Sequence, residues 1–141
     1  MSLSKLYSVE FYALLVERLS PRGTLVTQAG SPFFAREAFW SVVQTWEDTR
    51  NPAVRDEPLT VVPYHAYVPS FGEWGFALVS PFEQTPRALT FPSDLRYLTA
   101  DIWQKSQVFA QDTARVEVEV NSIRTHALVG YYQAGWDAWF R

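Results

Sequence analysis

Four side chains around a predicted hairpin tip are of types that could bind a cationic ligand. They lie in the stretch PYHAYVPSFGEWGFALVS, residues 63–80, in which two apolar runs flank a short tip. Tyr67, Phe71 and Trp74 could line a pocket for an alkyl amine through apolar and cation–π contacts, with Glu73 as the counter-charge. A purely structural interpretation stays open, in which Trp74 belongs to the core and Glu73 is a solvated turn residue.

A second candidate is the segment TQAGSP, in which a short β-prone run meets a helix start. In open α/β sheets, ligands bind outside the carboxyl ends of the strands, so Gln28 and Ser31 lie where a pocket would form. The alternative is that Ser31 only caps the following helix and that Gln28 solvates the strand end.

Other kinds of catalytic site are not indicated. The sequence contains no phosphate-binding glycine loop, no Gly-x-Ser-x-Gly elbow and no His-Glu-x-x-His motif. It has no cysteine, which excludes disulfides and thiol chemistry. His65 and His126 are far apart and have no carboxylates at ligand spacing, so we expect no metal site. His65, within an apolar strand, is expected to be a hydrogen-bonded structural residue.

The first half of the chain predicts helix, strand, helix, strand, strand. Ser8 can cap a first helix that ends before Pro21, with one apolar face made of Phe11, Leu14, Leu15 and Leu19. A strand follows over residues 24–28. Ser31 and Pro32 open a second helix that runs to about Thr45, with one side made of Phe39, Val42, Val43 and Trp46. After a polar loop, strands are predicted over Leu59–Val68 and Trp74–Val79.

The second half predicts further elements that pack on the first. A connector with three prolines ends at Pro92, and Thr99 can cap a helix over residues 100–110. ARVEVEVNS alternates apolar and charged residues and predicts a strand, and the tail from Thr125 predicts a short helix. We therefore expect an α/β fold in which residues 1–80 form a partial core with a terminal hairpin, and residues 81–141 form an extension of the same domain.

Composition supports a folded domain and excludes several classes of function. The 141 residues are 48% hydrophobic and 16% aromatic, enough to bury a core. A net charge of −3 and a lack of basic clusters argue against nucleic-acid binding. No apolar run is long enough to span a bilayer and no signal peptide is recognisable, so the expected location is cytoplasmic, with no membrane contact by this chain.

Two segments together resemble the C-terminal part of the polyamine aminopropyltransferases, the spermidine synthase family. LYSVEFYALLVERLSPRGTLVTQAGSPFF is similar to that family's helix–strand–helix segment, and YHAYVPSFGEWGFALVS to its hairpin. RYLTADIW, ARVEVEVN and LVGYYQAGW resemble a bacterial branch whose members are often fused to upstream membrane spans. The likeness runs from about Leu6 to Trp136.

The resemblance implies the C-terminal half of a Rossmann-like, methyltransferase-type fold. It also implies, for the complete parent enzyme, transfer of an aminopropyl group from decarboxylated S-adenosylmethionine, as co-substrate, to a diamine such as putrescine. Within that likeness the amine pocket would use Gln28, Ser31, Tyr67, Phe71, Glu73 and Trp74. The reaction displaces a group at a carbon beside a sulfonium and requires carboxylates to hold cations and to accept a proton.

The sequence departs from the family at positions that matter for catalysis. The family's glycine-rich nucleotide loop and its Asp-Ser-x-Asp-Pro loop, which carries the catalytic aspartate, occur nowhere in the chain. An acidic position in the matched part reads Gly30, and the hairpin tyrosine reads Phe71. We therefore assign no catalytic residue and expect no aminopropyl transfer by this chain alone.

Three hypotheses follow. The first is the C-terminal half of a synthase domain, inactive by itself. The second is a non-catalytic module that forms a homo-oligomer through an open sheet edge at strand 24–28. The third is a polyamine-binding remnant that keeps only the aromatic amine pocket.

Overall fold

The computed structural model describes residues 3–50, 57–82 and 90–140. Its elements are, in chain order, a 3-10 turn Leu3–Tyr7, α1 Val9–Arg18, β1 Leu25–Gly30, α2 Arg36–Asp48, β2 Thr60–Val68, β3 Gly72–Ser80, α3 Ala100–Ser106 and α4 Ala127–Phe140. This order confirms the predicted α/β fold. Parts of two predicted segments, the polar loop after α2 and the proline-containing connector after β3, lie outside the described residues.

The three strands form an antiparallel sheet in the order β1-β3-β2, and α2 packs on one face, called the inner face. Ala77 and Val79 of β3 are fully buried on this face. Gly75 belongs to the same row, and a Cβ atom there would lie 2.3 Å from the ring of Phe39, so the close approach of helix and strand requires glycine. The predicted buried side of α2 is confirmed, because four side chains have no exposed surface: Phe39, Val42, Val43 and Trp46.

The opposite, outer face of the sheet is partly covered by α3. The ring of Trp103 lies 5.2 Å from the ring of Tyr64 on β2, centroid to centroid. Just after α3 the chain reaches β2 from the side, where the Nε2 atom of His65 contacts the carbonyl oxygen of Val108 at 2.6 Å. In the part of the chain that the structure describes, β1 pairs only with β3, so its other edge is open.

Two helix caps predicted from the sequence are confirmed. The hydroxyl of Ser8 accepts a hydrogen bond from the backbone N–H of Phe11 at the start of α1. The hydroxyl of Thr99 accepts one from the backbone N–H of Ile102 at the start of α3. Each bond satisfies a backbone donor that has no partner within its own helix.

The predicted apolar face of α1 is rotated from the buried face in the structure. Tyr12 and Val16 are buried, whereas Leu14 is 58% exposed. The ring of Tyr12 stacks on Trp46 of α2 with centroids 3.7 Å apart and planes 6° from parallel. This aromatic contact sets the rotation of the helix, and a count of aliphatic residues alone favours the neighbouring face.

The strand predicted for residues 114–122 is wrong, because residues 115–120 pair with no strand in the part of the chain that the structure describes. The alternation of apolar and charged residues has another cause, because Val116 and Val118 pack against the core. The backbone of this segment forms hydrogen bonds with side chains and not with a neighbouring strand. The carbonyl of Glu119 accepts a hydrogen bond from Ser41 of α2 at 2.7 Å, and its N–H donates to the hydroxyl of Tyr131 of α4. Side chains of two helices thus take the place of a strand ladder.

Asn121 joins the two ends of the fold. Its side chain is fully buried. The amide nitrogen donates to the carbonyl oxygens of Ser4 and Tyr7, both at 3.0 Å, and the amide oxygen accepts from the N–H of Leu128 at 3.1 Å. One side chain therefore attaches the 3-10 turn to the start of α4, and this places Tyr7 beside that helix.

Candidate functional site

A cavity of about 470 Å³ lies where β1 ends, between the hairpin tip and α4. It brings together four of the six predicted site residues: Gln28, Ser31, Phe71 and Trp74. Its remaining walls come from the N-terminal turn, the β1–α2 connection, the tip and α4, namely Tyr7, Gly30, Phe34, Ala35, Ser70, Tyr132, Gly135, Trp136, Trp139 and Phe140. The position agrees with the expectation that a pocket forms at the carboxyl end of β1.

The end of β1 is shaped by a bulge and a glycine. The pairing of β1 with β3 shifts between Gln28 and Gly30, and Gly30 has φ of +76°, a conformation that favours glycine. The next residue, Ser31, is 4% exposed, and its hydroxyl accepts long hydrogen bonds of 3.3 Å from the N–H groups of Phe33 and Phe34. Ser31 therefore caps a turn, and α2 begins later than predicted, at Arg36.

Gln28 and Trp74 are joined by a hydrogen bond in the wall of the cavity. The indole N–H of Trp74 donates to the Oε1 atom of Gln28 at 3.3 Å. The ring of Phe71 lies 5.1 Å from that of Trp74, and Phe71 is 58% exposed at the mouth of the cavity. A pair of aromatic rings beside an amide gives a surface that suits an alkyl chain ending in a cation.

Glu73 and Tyr67 lie elsewhere, because successive side chains of a strand point to opposite faces. Glu73 is next to Trp74 on β3 and faces the other way, and Tyr67 is its direct partner on β2. Both line a separate, smaller cavity with His65, and Glu73 contacts the Nδ1 atom of His65. The six predicted residues therefore do not share one pocket.

Among the described residues, the walls of the cavity at the end of β1 include no carboxylate and no basic side chain. Its titratable groups are the phenols of Tyr7 and Tyr132. Desolvation, with a smaller contribution from Tyr7, raises the pKa of Tyr132 to about 12, so this hydroxyl stays neutral at physiological pH. The walls can bind through aromatic faces and neutral hydrogen bonds, but the described wall residues include no group that accepts a proton near pH 7.

Sequence reasoning missed the contribution of α4 to this cavity. The sequence predicts a short helix for this tail but places none of its residues in the candidate site. The structure places Tyr132 and Trp136 in the cavity wall, with Trp136 still 66% exposed. The signal that could have been used is the density of aromatic residues in the tail YYQAGWDAWF, which exceeds what one short helix can bury.

Two further features limit the kinds of site that the described residues can form. Within residues 3–50, 57–82 and 90–140, no three His, Asp or Glu side chains lie together as a metal site would need. Over the same ranges, no helix has the length and apolar character to cross a bilayer.

Comparison with known proteins identifies homologues of this chain. No protein-family model matches this sequence. Curated relatives that bear the name polyamine aminopropyltransferase match 96% of the chain at 35–39% identity. The chain is homologous to the polyamine aminopropyltransferases. They include a protein of Leptospira interrogans, 38% identical over 138 residues, one of Ralstonia nicotianae, 39% over 136, and one of Mycobacterium tuberculosis, 35% over 137.

The homology covers only part of each aminopropyltransferase. The chain spans about a quarter of the length of these relatives, 26% of the first and 25% of the other two. The family resemblance inferred from the sequence motifs is thereby confirmed. The activity named in the relatives belongs to proteins about four times as long.

Proposed function

We propose that this chain forms the acceptor-amine part of an aminopropyltransferase domain and that it binds diamines without transforming them. The observation that supports this most directly is the cavity at the end of β1, where Trp74, Phe71 and Gln28 lie together beside α4. These residues belong to the two segments that resemble the family. An aromatic wall of this kind attracts an alkylammonium ion by about 0.5–1 kcal/mol per exposed cation–π contact.

The same geometry argues against catalysis by the chain alone. A nucleophilic amine must lose a proton, and the cavity walls formed by the described residues contain no carboxylate or histidine to accept it. Glu73, the predicted counter-charge, contacts His65 on the inner face instead. The sequence also contains no glycine-rich loop and no Asp-Ser-x-Asp motif for decarboxylated S-adenosylmethionine and the base. Both would be supplied by the other part of a complete enzyme.

Calorimetry with putrescine, spermidine and agmatine tests the binding. We expect weak binding by the wild-type chain and a loss of about two- to fivefold in affinity for Trp74→Ala, the range of one exposed cation–π contact. Trp103→Ala is the matched control, because Trp103 packs on Tyr64 near the other edge of the sheet. Absence of heat with all three amines contradicts the proposal.

An activity assay tests the second half of the proposal. The isolated chain, incubated with decarboxylated S-adenosylmethionine and each amine, should give no aminopropylated product. Turnover by this chain would contradict the claim that it binds without catalysis. The cytoplasmic location predicted from the sequence remains a prediction.

A second candidate function is self-association through the edge of β1. Within the described residues this edge has no strand partner, and Val26 in the middle of β1 is 52% exposed. An open apolar edge can pair with another copy of the same strand. Light scattering should show a homo-oligomer at high micromolar concentration that Val26→Lys dissociates and that Leu14→Lys, on the exposed side of α1, leaves intact. A stable wild-type monomer contradicts this candidate.

A further inference from the structure

A second cavity, of about 730 Å³, adjoins the candidate site along α4. It lies between that helix and the 3-10 turn, and three residues belong to the walls of both cavities: Tyr7, Tyr132 and Trp136. The walls of the second cavity also include Ser4, Gln133 and Asp137. Unlike the first cavity, the second therefore has a carboxylate in its wall.

The geometry of α4 explains why Tyr132 and Trp136 separate the two cavities. Residues four apart share one side of a helix, so these two form a ridge along its axis. Gln133 and Asp137 lie on one side of this ridge and line the second cavity. Gly135 and Trp139 lie on the other side and line the first. The Tyr132–Trp136 ridge is thus the boundary between an aromatic compartment and one that contains a carboxylate.

Tyr132 closes the end of the ridge that is nearest to the sheet. Its hydroxyl is 3.5 Å from the carbonyl oxygen of Ala29, a long hydrogen bond. A Cβ atom at Gly30 would lie 2.6 Å from the same hydroxyl, so the tip of Tyr132 occupies the space that a side chain at position 30 would need. The ring fits against β1 only because residue 30 is glycine. Trp136, by contrast, is 66% exposed, so it closes less of the boundary between the two cavities than Tyr132 does.

We propose that Tyr132 determines the length of the amine that this site accepts, by closing the aromatic cavity against the compartment that contains Asp137. This rests on the proposed function, because it assigns the length selectivity of that same site. With the ring in place, a bound amine stays on the aromatic side of the ridge, away from Asp137. Without the ring, a longer linear polyamine can extend past the ridge and bring a second ammonium group to Asp137.

The test compares putrescine with the triamine spermidine by calorimetry on four proteins. These are the wild-type chain, Tyr132→Ala, Tyr132→Phe and the double variant Tyr132→Ala/Asp137→Asn. For Tyr132→Ala we expect the affinity ratio of spermidine to putrescine to rise by about two- to fivefold, the range of one exposed ion pair. Tyr132→Phe keeps the ring and should keep the wild-type ratio. In the double variant the gain should disappear.

Each outcome decides between the proposals. A raised ratio in Tyr132→Ala that Asp137→Asn abolishes supports the assignment. Wild-type binding with an unchanged ratio in Tyr132→Ala overturns the assignment and leaves the proposed function standing. No binding of either amine by any of the four proteins overturns both. Circular dichroism checks the fold of each variant, and Tyr132→Val, which also removes the ring, replaces Tyr132→Ala if that variant is unfolded.

Discussion

Glu73 contacts the Nδ1 atom of His65 across the β2–β3 hairpin, on the face of the sheet opposite to Trp74. The other ring nitrogen of His65 contacts the carbonyl oxygen of Val108 at 2.6 Å. Both ring nitrogens therefore contact oxygen atoms that can accept a hydrogen bond. Glu73 therefore has a structural partner, which joins the hairpin to the chain that follows α3.

Glu73→Gln is expected to leave amine binding unchanged. The side chain lies on the inner face, away from Trp74, so its charge is not part of the cavity at the end of β1. The variant should lose at most about 1 kcal/mol of unfolding free energy, since a polar contact between partly exposed side chains contributes little. Calorimetry and urea denaturation measure the two effects. A loss of putrescine affinity equal to that of Trp74→Ala would contradict the assignment of faces.

Gly30→Ala is expected to destabilise the chain by about 1–2 kcal/mol, because φ of +76° is unfavourable for a residue with a Cβ atom. The contact of that Cβ with the Tyr132 hydroxyl adds to the loss, and this added part should vanish in the background Tyr132→Ala. Urea denaturation of the four proteins of this double-mutant cycle measures both parts.

The control is Gly130→Ala, inside α4, where a Cβ meets no atom within 4 Å. It should stabilise the chain by about 0.5–1 kcal/mol through helix propensity. Equal effects at positions 30 and 130 would show that neither the backbone conformation nor Tyr132 restricts position 30.

Asn121→Leu is expected to cost about 3–5 kcal/mol or to prevent folding. The change removes the donor from two backbone carbonyls and the acceptor from the N–H of Leu128, all at a fully buried site. Each such loss typically costs 1–3 kcal/mol. Asn121→Asp keeps the acceptor but faces the two carbonyls with an oxygen, so it should also destabilise the chain. Urea midpoints close to the wild-type value for both variants would contradict this role.

Tyr12→Phe is expected to have little effect on stability at pH 7. The Tyr12 hydroxyl is buried and has no hydrogen-bond partner within the described part of the chain. Although the ring stacks on Trp46, the indole N–H donates to Thr27 instead. Removing a buried hydroxyl without a partner should leave the unfolding free energy unchanged or raise it slightly, because the desolvation cost of that group is removed as well. A loss above about 1.5 kcal/mol would mean that the hydroxyl is bonded.

Tyr12→Phe should also change how the unfolding free energy depends on alkaline pH. Burial, with smaller contributions from Tyr7 and Tyr132, raises the pKa of Tyr12 well above its ordinary value of 10. Above pH 10 the unfolded chain loses the Tyr12 proton while the folded chain keeps it, so stability falls as the pH rises, by up to about 1.4 kcal/mol per pH unit. Denaturation between pH 9 and 12 should show a shallower decline for Tyr12→Phe. Parallel curves would contradict the shift.

The sequence predicts the elements well because their signals are local. Caps at Ser8 and Thr99, and the apolar side of α2, depend on neighbouring residues only. The strand predicted at 114–122 is wrong for a reason that lies far away in the chain, since Ser41 and Tyr131 bind the backbone of Glu119 in place of a second strand.

In the candidate site, too, features set by local sequence can be predicted, and features set by contacts between distant residues cannot. Gln28 and Trp74 come together because β1 pairs with β3, and the sequence pattern does not predict that pairing. Glu73 is separated from Trp74 by the alternation of a single strand, a rule that was available from the sequence. The part played by Tyr132 depends on the packing of a helix about a hundred residues further along the chain, and no local pattern specifies that packing.

The bonds of Asn121 to Ser4 and Tyr7 span 117 and 114 residues. The 3-10 turn therefore leaves the ribosome long before its anchoring amide exists, and these contacts can close only after residue 121 has been made. Tyr7, which lines both cavities, acquires its final place only then. Both cavities thus assemble later than the hairpin during biosynthesis, and a nascent chain halted before residue 121 would present the hairpin without them.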